Sequence, residues 1–294
     1  MKKIFYLAAA MSIVAFASCE KQGGKEDDKE TIKVTVAEDA LVLHLPFEDG
    51  SVAKGEGVTF ASKEGKAELV DGFIGKAYTN TSGDAKEAGY LKYNLAATNC
   101  INSLKSFTFS AWVKRPALGS GTFFSVNGGE HDWGSTMQFF FDNTGVGEDG
   151  ATYQQFNARI DSYKQGEDGN KFQASCWPNV QGPEFAKVDE WFHVARTYDA
   201  ATGAWKVYVD GVQTHDGVHE FGDPAGPFGD LDLTSPTMNA LYIGGWAAII
   251  DGVNNQDWMT FFNGSVDEVR MYNRALTDQE IGQLWQQEKL INLE

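Results

Sequence analysis

Residues 107–114 read Phe107-Thr108-Phe109-Ser110-Ala111-Trp112-Val113-Lys114. In an extended chain successive side chains point to opposite faces, so Phe107, Phe109, Ala111 and Val113 form one apolar edge, with Trp112 on the polar side. Working outward, Leu41-Val42-Leu43-His44-Leu45-Pro46-Phe47 repeats the period of two, with every odd position apolar. Residues 137–141 and 153–160 read as further strands, the former apolar almost throughout and therefore buried on both faces or lining a groove. Residues 191–198 and 204–213 form a strand pair, and Val209-Asp210-Gly211-Val212 sets a type I′ turn dipeptide between β-branched residues. Residues 241–245 and 261–272 complete the set. One helix follows: Thr277 and Glu280 make a T-x-x-E capping box, and Ile281, Leu284 and Trp285 give one apolar stripe. No repeat and no Pro/Gly/Ser linker divides residues 40–290, which implies one all-β domain of antiparallel strands.

The 294 residues hold 24 Lys and Arg against 41 Asp and Glu, a formal charge of -17. No basic surplus exists to neutralise phosphates, so nucleic acid is excluded as a partner. With 32 Gly, 20 Phe, 10 Tyr and 8 Trp, the composition favours short strands and turns over a helical bundle. At the start, Lys2-Lys3, an apolar run over 4–16 and the small pair Ala17-Ser18 form a secretion signal too short to span a bilayer. Ala17-Ser18-Cys19 resembles the lipobox of bacterial lipoproteins, which implies cleavage before Cys19 and acylation of that cysteine; the alternative is plain secretion with a spare thiol. Residues 20–30 contain no apolar side chain and read as a solvated tether. Within it, Lys25-Glu26-Asp27-Asp28 resembles the acidic export tag of surface lipoproteins, or is a charged spacer. The expected organisation is a signal over 1–18, an acylated tether over 19–38 and a domain over 39–294. The implied location is the outer membrane, facing the exterior or the periplasm, with membrane contact through the anchor alone. Cys100 and Cys176 are free to pair or not on spacing alone. The five histidines are scattered and show no zinc spacing.

The order of segments carries a resemblance. Glu190-Trp191-Phe192-His193-Val194-Ala195-Arg196-Thr197-Tyr198-Asp199 is followed by Trp205-Lys206-Val207-Tyr208-Val209-Asp210-Gly211 and Leu241-Tyr242-Ile243-Gly244-Gly245. The series closes with Phe262-Asn263-Gly264-Ser265-Val266-Asp267-Glu268-Val269-Arg270-Met271-Tyr272-Asn273-Arg274-Ala275-Leu276-Thr277. Together with residues 43–48 and 107–114, these segments resemble the bacterial laminin-G-like domains of the concanavalin A-like lectin/glucanase superfamily, over roughly residues 40–288. The resemblance implies a jelly-roll sandwich of two antiparallel sheets with a short C-terminal helix. Such domains include lectins, adhesion modules, carbohydrate-binding modules and some enzymes, so function has to be argued from sites. The resemblance also implies a structural calcium at the sandwich rim, with Glu48, Asp49 and Asp267 as ligands.

Glycoside hydrolysis needs two carboxylates roughly 5–10 Å apart. The E-x-D-x-E spacing of laminarinase-type relatives occurs only at Glu26-Asp27-Asp28-Lys29-Glu30, inside the tether. Glu130-His131-Asp132 offers a weak catalytic alternative in a glycine-flanked loop, and Asp267-Glu268, as neighbours in a strand, are expected on opposite faces. No G-x-S-x-G, P-loop, dinucleotide fingerprint or H-E-x-x-H is present. Sugar binding fits better, because pyranose rings stack on flat aromatics while their hydroxyls need polar partners. The candidate contacts are Trp133 with Asp132, Trp177, and Trp246 and Trp258 bracketing a loop that holds Asn255 and Asp257; each Trp alternatively closes the edge of the core. The expected partner is a polysaccharide or glycoconjugate, bound without catalysis. A protein partner, as for laminin-G adhesion modules, is the second reading, and an atypical hydrolase or lyase the third. The acidic surface disfavours polyanionic glycans unless calcium bridges them.

Overall fold

Phe107, Phe109, Ala111 and Val113 are each at most 1% exposed and point into the interior between two antiparallel sheets. The computed structural model describes residues 33–129, 134–165, 171–176, 179–222 and 224–293. The first sheet runs Val212–Val218, Ala204–Val209, Phe192–Tyr198, Phe107–Lys114, Ser265–Tyr272, Leu41–Leu45, Lys54–Gly55, with Lys76–Asn80 and Ala67–Asp71 branching from Ser265–Tyr272. The second runs Lys171–Cys176, Thr152–Gln165, Ser135–Val146, Gly121–Asn127, Ala240–Ile243, Gly89–Leu95, Val58–Gly65, with Asn179–Gly182 also on Thr152–Gln165. Phenylalanines hold the two together: Phe109 stacks on Phe139 at 3.9 Å and 14°, and Phe124 meets Phe109 edge-on at 5.1 Å. Cys100 is a buried free thiol, and burial pushes it up to about 12.

Several local expectations are met. Asp210 and Gly211 turn with φ of 50° and 78°, as a type I′ hairpin requires. Gly211 is also where a Cβ would lie 3.1 Å from Trp285, so helix packing selects glycine there as well. Strand ends were less legible: 137–141 and 153–160 lie within the longer strands Ser135–Val146 and Thr152–Gln165. Cys19 and residues 20–32 of the tether lie outside the described residues, whereas Val36, expected in the tether, is buried against the domain.

Trp112 lies on the outer face of the first sheet, on the polar side of its strand. This side chain is only 2% exposed, because the C-terminal helix α1 (Asp278–Asn292) and residues 34–41 cover that face. Thr277 and Glu280 form the capping box, and Ile281 and Leu284 are buried. The third buried position is Glu288, while Trp285 is half-buried over Gly211. Glu288 accepts from Trp112 Nε1 and from Arg270 Nε, both at 2.8 Å. Arg270 also donates to Glu268, which accepts from His44 Nε2 at 2.7 Å. His193, fully buried beside Trp112, is pushed down to about 4 by burial and is neutral. The helix therefore docks through a buried ionic chain as well as an apolar stripe.

Removing one member of a buried pair strands the other's charge. Glu288→Ala is expected to lose about 3–5 kcal/mol of stability in urea denaturation. Thr277→Ala, which removes only the cap, is expected to lose about 1 kcal/mol. Equal losses would show that the ionic chain does not anchor the helix.

Candidate functional site

The outer face of the second sheet carries a cross-strand row of polar residues. Register places Lys92, Tyr242, Ser125, Gln138 and Arg159 side by side on five adjacent strands. At about 4.8 Å per strand the row spans ~19 Å, an oligomer's length rather than a single ring's.

Residues 244–262 fold over one half of this row. They include the short helix Ala247–Ile250 and a small apolar cluster of Phe140, Trp246, Ala248 and Met259. The polar groups beneath are satisfied. Ser125 Oγ donates to Gly245 O at 2.7 Å and accepts from Ala247 N at 3.1 Å. Tyr242 donates to Asp251 Oδ1 at 2.5 Å. Asn127 donates to Asp251 Oδ2 and Asn239 Oδ1 at 2.8 and 2.9 Å, and accepts from the backbone of Asn239 and Ala240. Beside them opens a cleft of about 510 Å³ whose walls include Lys92, Asn127 and Asp251.

The other half of the row is different. Asn157, Arg159 and Asp161 share one face of Thr152–Gln165 at i, i+2 and i+4. Arg159 and Asp161 clasp each other through Nε–Oδ1 at 3.2 Å and Nη2–Oδ2 at 2.9 Å. Gln138 and Asn157 are 0% exposed, yet neither amide nitrogen nor either amide oxygen has a hydrogen-bond partner. An unmade hydrogen bond on a buried polar atom costs about 1–3 kcal/mol, so two buried carboxamides with four open valences are an expensive feature for folding alone. They present donors and acceptors of the kind that hydroxyl groups match.

Of the candidates from sequence, Glu130, Asp132, Trp133 and Trp177 lie outside the described residues. Trp258 is 42% exposed, and Asn255 and Asp257 are exposed on the same loop. Trp246, by contrast, is 3% exposed and supports Trp258 from beneath, with ring centroids 5.2 Å apart at 75°. It also packs on Phe140 at 5.4 Å, and Phe140 is the cross-strand partner of Asn157. The exposed indole is thus linked through two buried rings to the unpartnered amides. Lys86 Nζ pins the loop by donating to the carbonyls of Asp257 and Met259. Sequence reasoning missed Gln138, Asn157, Arg159 and Asp161, although the alternation Asn157-x-Arg159-x-Asp161 was visible as a polar strand face.

Among the described residues, the Asn157, Arg159 and Asp161 face supplies one carboxylate, whose oxygens are both engaged by Arg159, and Asp251 supplies another on the covered half of the row. The rim carboxylates are also engaged individually. Asp49 Oδ1 caps its own turn at Ser51 N (3.0 Å), and Glu48 Oε1 accepts from Lys76 N (3.0 Å). Asp267 accepts from Ile74 N at 2.8 Å and Glu268 N at 2.7 Å. Among the described residues no three His, Cys, Asp or Glu side chains converge as a metal-binding group. Asp267 and Glu268 do not simply alternate, since the strand bulges there and Glu268 has φ 49°; both are buried.

Burial, reinforced by the neighbouring charge of Glu268, pushes Asp267 up to about 8, so folding favours its protonated form. That contribution is complete below the ordinary carboxylate range and is lost as pH rises through about 8. The stability of the parent relative to Asp267→Asn is expected to fall between about pH 4 and pH 8 in urea titrations. A flat difference contradicts the neutral carboxylate.

A laminin G family model, described as concanavalin A-like lectin/glucanases superfamily, matches residues 87–282. Among solved structures, the binding domain of botulinum neurotoxin serotype D/C superposes with a TM-score of 0.53 at 14% identity, covering 85% of this chain and 52% of that one. The binding domain of botulinum neurotoxin DC in complex with rat synaptotagmin II gives 0.51 at 15% identity, with coverage of 85% and 52%. Domain 4 of AbnA, a GH43 extracellular arabinanase from Geobacillus stearothermophilus in complex with arabinotriose, is 23% identical, with a TM-score of 0.45 and coverage of 83% and 98%. The chain spans about half the length of the neurotoxin chains it matches. No curated protein sequence matches it. At these identities the solved structures speak to fold, and the family match covers two-thirds of the residues: the chain belongs to the concanavalin A-like lectin/glucanases superfamily.

Proposed function

We propose that this domain binds a neutral glycan chain across the outer face of its eight-stranded sheet and does not cleave it. The observation that carries the reading is Trp258, exposed and backed by Trp246 and Phe140, on the same sheet face as the enclosed, unpartnered amides of Gln138 and Asn157, which a ligand reaches only by displacing what covers them. A pyranose offers an apolar face for the indole and hydroxyls for the amides, so one ligand class answers both features. Family membership supports the choice, and so does the cell entry of botulinum neurotoxin type C, a relative in fold, which depends on two ganglioside molecules. The single, engaged carboxylate of the Asn157–Asp161 face supports binding without hydrolysis. In this reading Cys19 is acylated, the acidic tether lifts the domain from the outer membrane, and the module captures polysaccharide or attaches the cell to a glycosylated surface.

The test is affinity electrophoresis of the protein from residue 20 onward, through gels containing neutral or acidic polysaccharides, with calcium and with chelator. Retardation by a neutral glycan, no shortening of the polymer, and a roughly tenfold or greater loss of affinity in Trp258→Ala are expected. Retardation unchanged in Trp258→Ala would remove this face as the site. Reducing ends released by the parent but not by Glu130→Gln would establish a hydrolase instead.

A further inference from the structure

A second cleft, of about 310 Å³, lies at the ends of Phe107–Lys114, Ser265–Tyr272 and Lys76–Asn80 in the nine-stranded sheet, and Trp258 is not among its walls. Its floor is a cross-strand row: Lys114 pairs with Ser265, and Ser265 with Thr79. Phe192 pairs with Val113, so Trp191 falls opposite Lys114 and forms one wall. The indole is half-buried and held edge-on by Phe73 at 6.4 Å, and Phe73 is itself stacked on Trp112 at 3.5 Å. The wall is therefore held in place, and among the described residues the Trp191 indole N–H has no acceptor.

The charges in this cleft run against those of the whole chain. Among the described residues the Lys114 ammonium has neither a hydrogen-bond nor an ion-pair partner. Arg115, 2% exposed, spends its donors on neutral acceptors: Lys187 O, Gln154 Oε1 and Phe185 O. Asp71 is matched by Lys76 at 2.7 Å, which leaves Asp189 as the cleft's one unpaired carboxylate against two cations. In a protein of net charge -17, a pocket with a cationic surplus beside an aromatic wall is selective for a single negative charge on a ring.

We propose that this cleft is a subsite for one carboxylated sugar, a uronic acid at the end of an otherwise neutral chain. The ring lies on Trp191, the carboxylate pairs with Lys114, and hydroxyls meet Ser265, Thr79 and Asn263. A polyanion is excluded by the acidic remainder of the surface, so the selectivity is for one charge per chain end. The site shares a ligand class with the proposed function, but none of its residues.

The experiment is a tryptophan-fluorescence titration with two disaccharides that differ only in ending with glucuronic acid or with glucose. The parent is expected to bind the glucuronic acid form at least tenfold tighter, and Lys114→Gln to abolish that preference. Trp191→Ala should bring the glucuronic acid form down to the affinity of the glucose form, Trp191→Phe should keep part of the preference, and Trp258→Ala should leave it intact. Equal binding of the two disaccharides by the parent, or a preference that survives Lys114→Gln, overturns the proposal. A preference lost in Trp258→Ala assigns the uronate to the other face and overturns it as well. Failure here leaves the electrophoretic result for neutral glycans standing, because that result is assigned through Trp258→Ala, a residue outside this cleft.

Discussion

The central strands of both sheets are buried on both faces, and the need to satisfy polar atoms under those covers shapes the rest of the molecule. A strand such as Phe107–Lys114 places its apolar residues inward, so the opposite side inevitably carries Thr108, Ser110 and Trp112. When α1 covers that side, the backbone and the helix have to supply partners. Thr108 donates to Arg274 O and accepts from Leu276 N, each at 2.8 Å, while Trp112, Arg270, Glu268 and His44 are joined through Glu288 into one chain. The helix is thus positioned by polar chemistry as much as by Ile281 and Leu284.

The second sheet meets the same demand unevenly. Beneath residues 244–262, Ser125, Asn127 and Tyr242 have specific partners, but Gln138 and Asn157, one and two strands beyond Ser125, have none. Other buried polar groups without partners can relieve the cost in ways a carboxamide lacks. His193 gives up its charge, and hydroxyls such as those of Ser110 or Tyr272 rotate and present only one oxygen. A carboxamide neither titrates nor shrinks, so two of them side by side with a ligand-sized row mark a place where folding stability is set aside for recognition.

The architecture was legible because it rests on local rules. Alternation located the strands at 41–47 and 107–114, the Asp-Gly dipeptide located a hairpin, and Thr277 with Glu280 located the start of the helix. Strand lengths were not, since pairing with neighbours extends Thr152–Gln165 well past its apolar segment. The site was half legible. Trp258 was found as a loop aromatic, but Trp246 was given the same role although it is its support, a difference set by which ring lies beneath the other. Gln138 and Asn157 sit in strands that read as core, and nothing in spacing distinguishes an amide that finds a partner from one that does not. Likewise Trp191 reads as a strand residue until the register places Lys114 beside it.

If Gln138 and Asn157 serve recognition, replacing them by apolar residues of similar size removes open polar valences at no cost to the fold. The decisive measurement is the thermal midpoint and the glycan retardation of the Gln138→Met, Asn157→Leu double variant beside the parent. A midpoint equal to or above the parent's, with retardation lost, is the predicted result. A midpoint lowered by several degrees with retardation intact would show that the amides hold the sheet together and that the glycan, if bound, is held elsewhere.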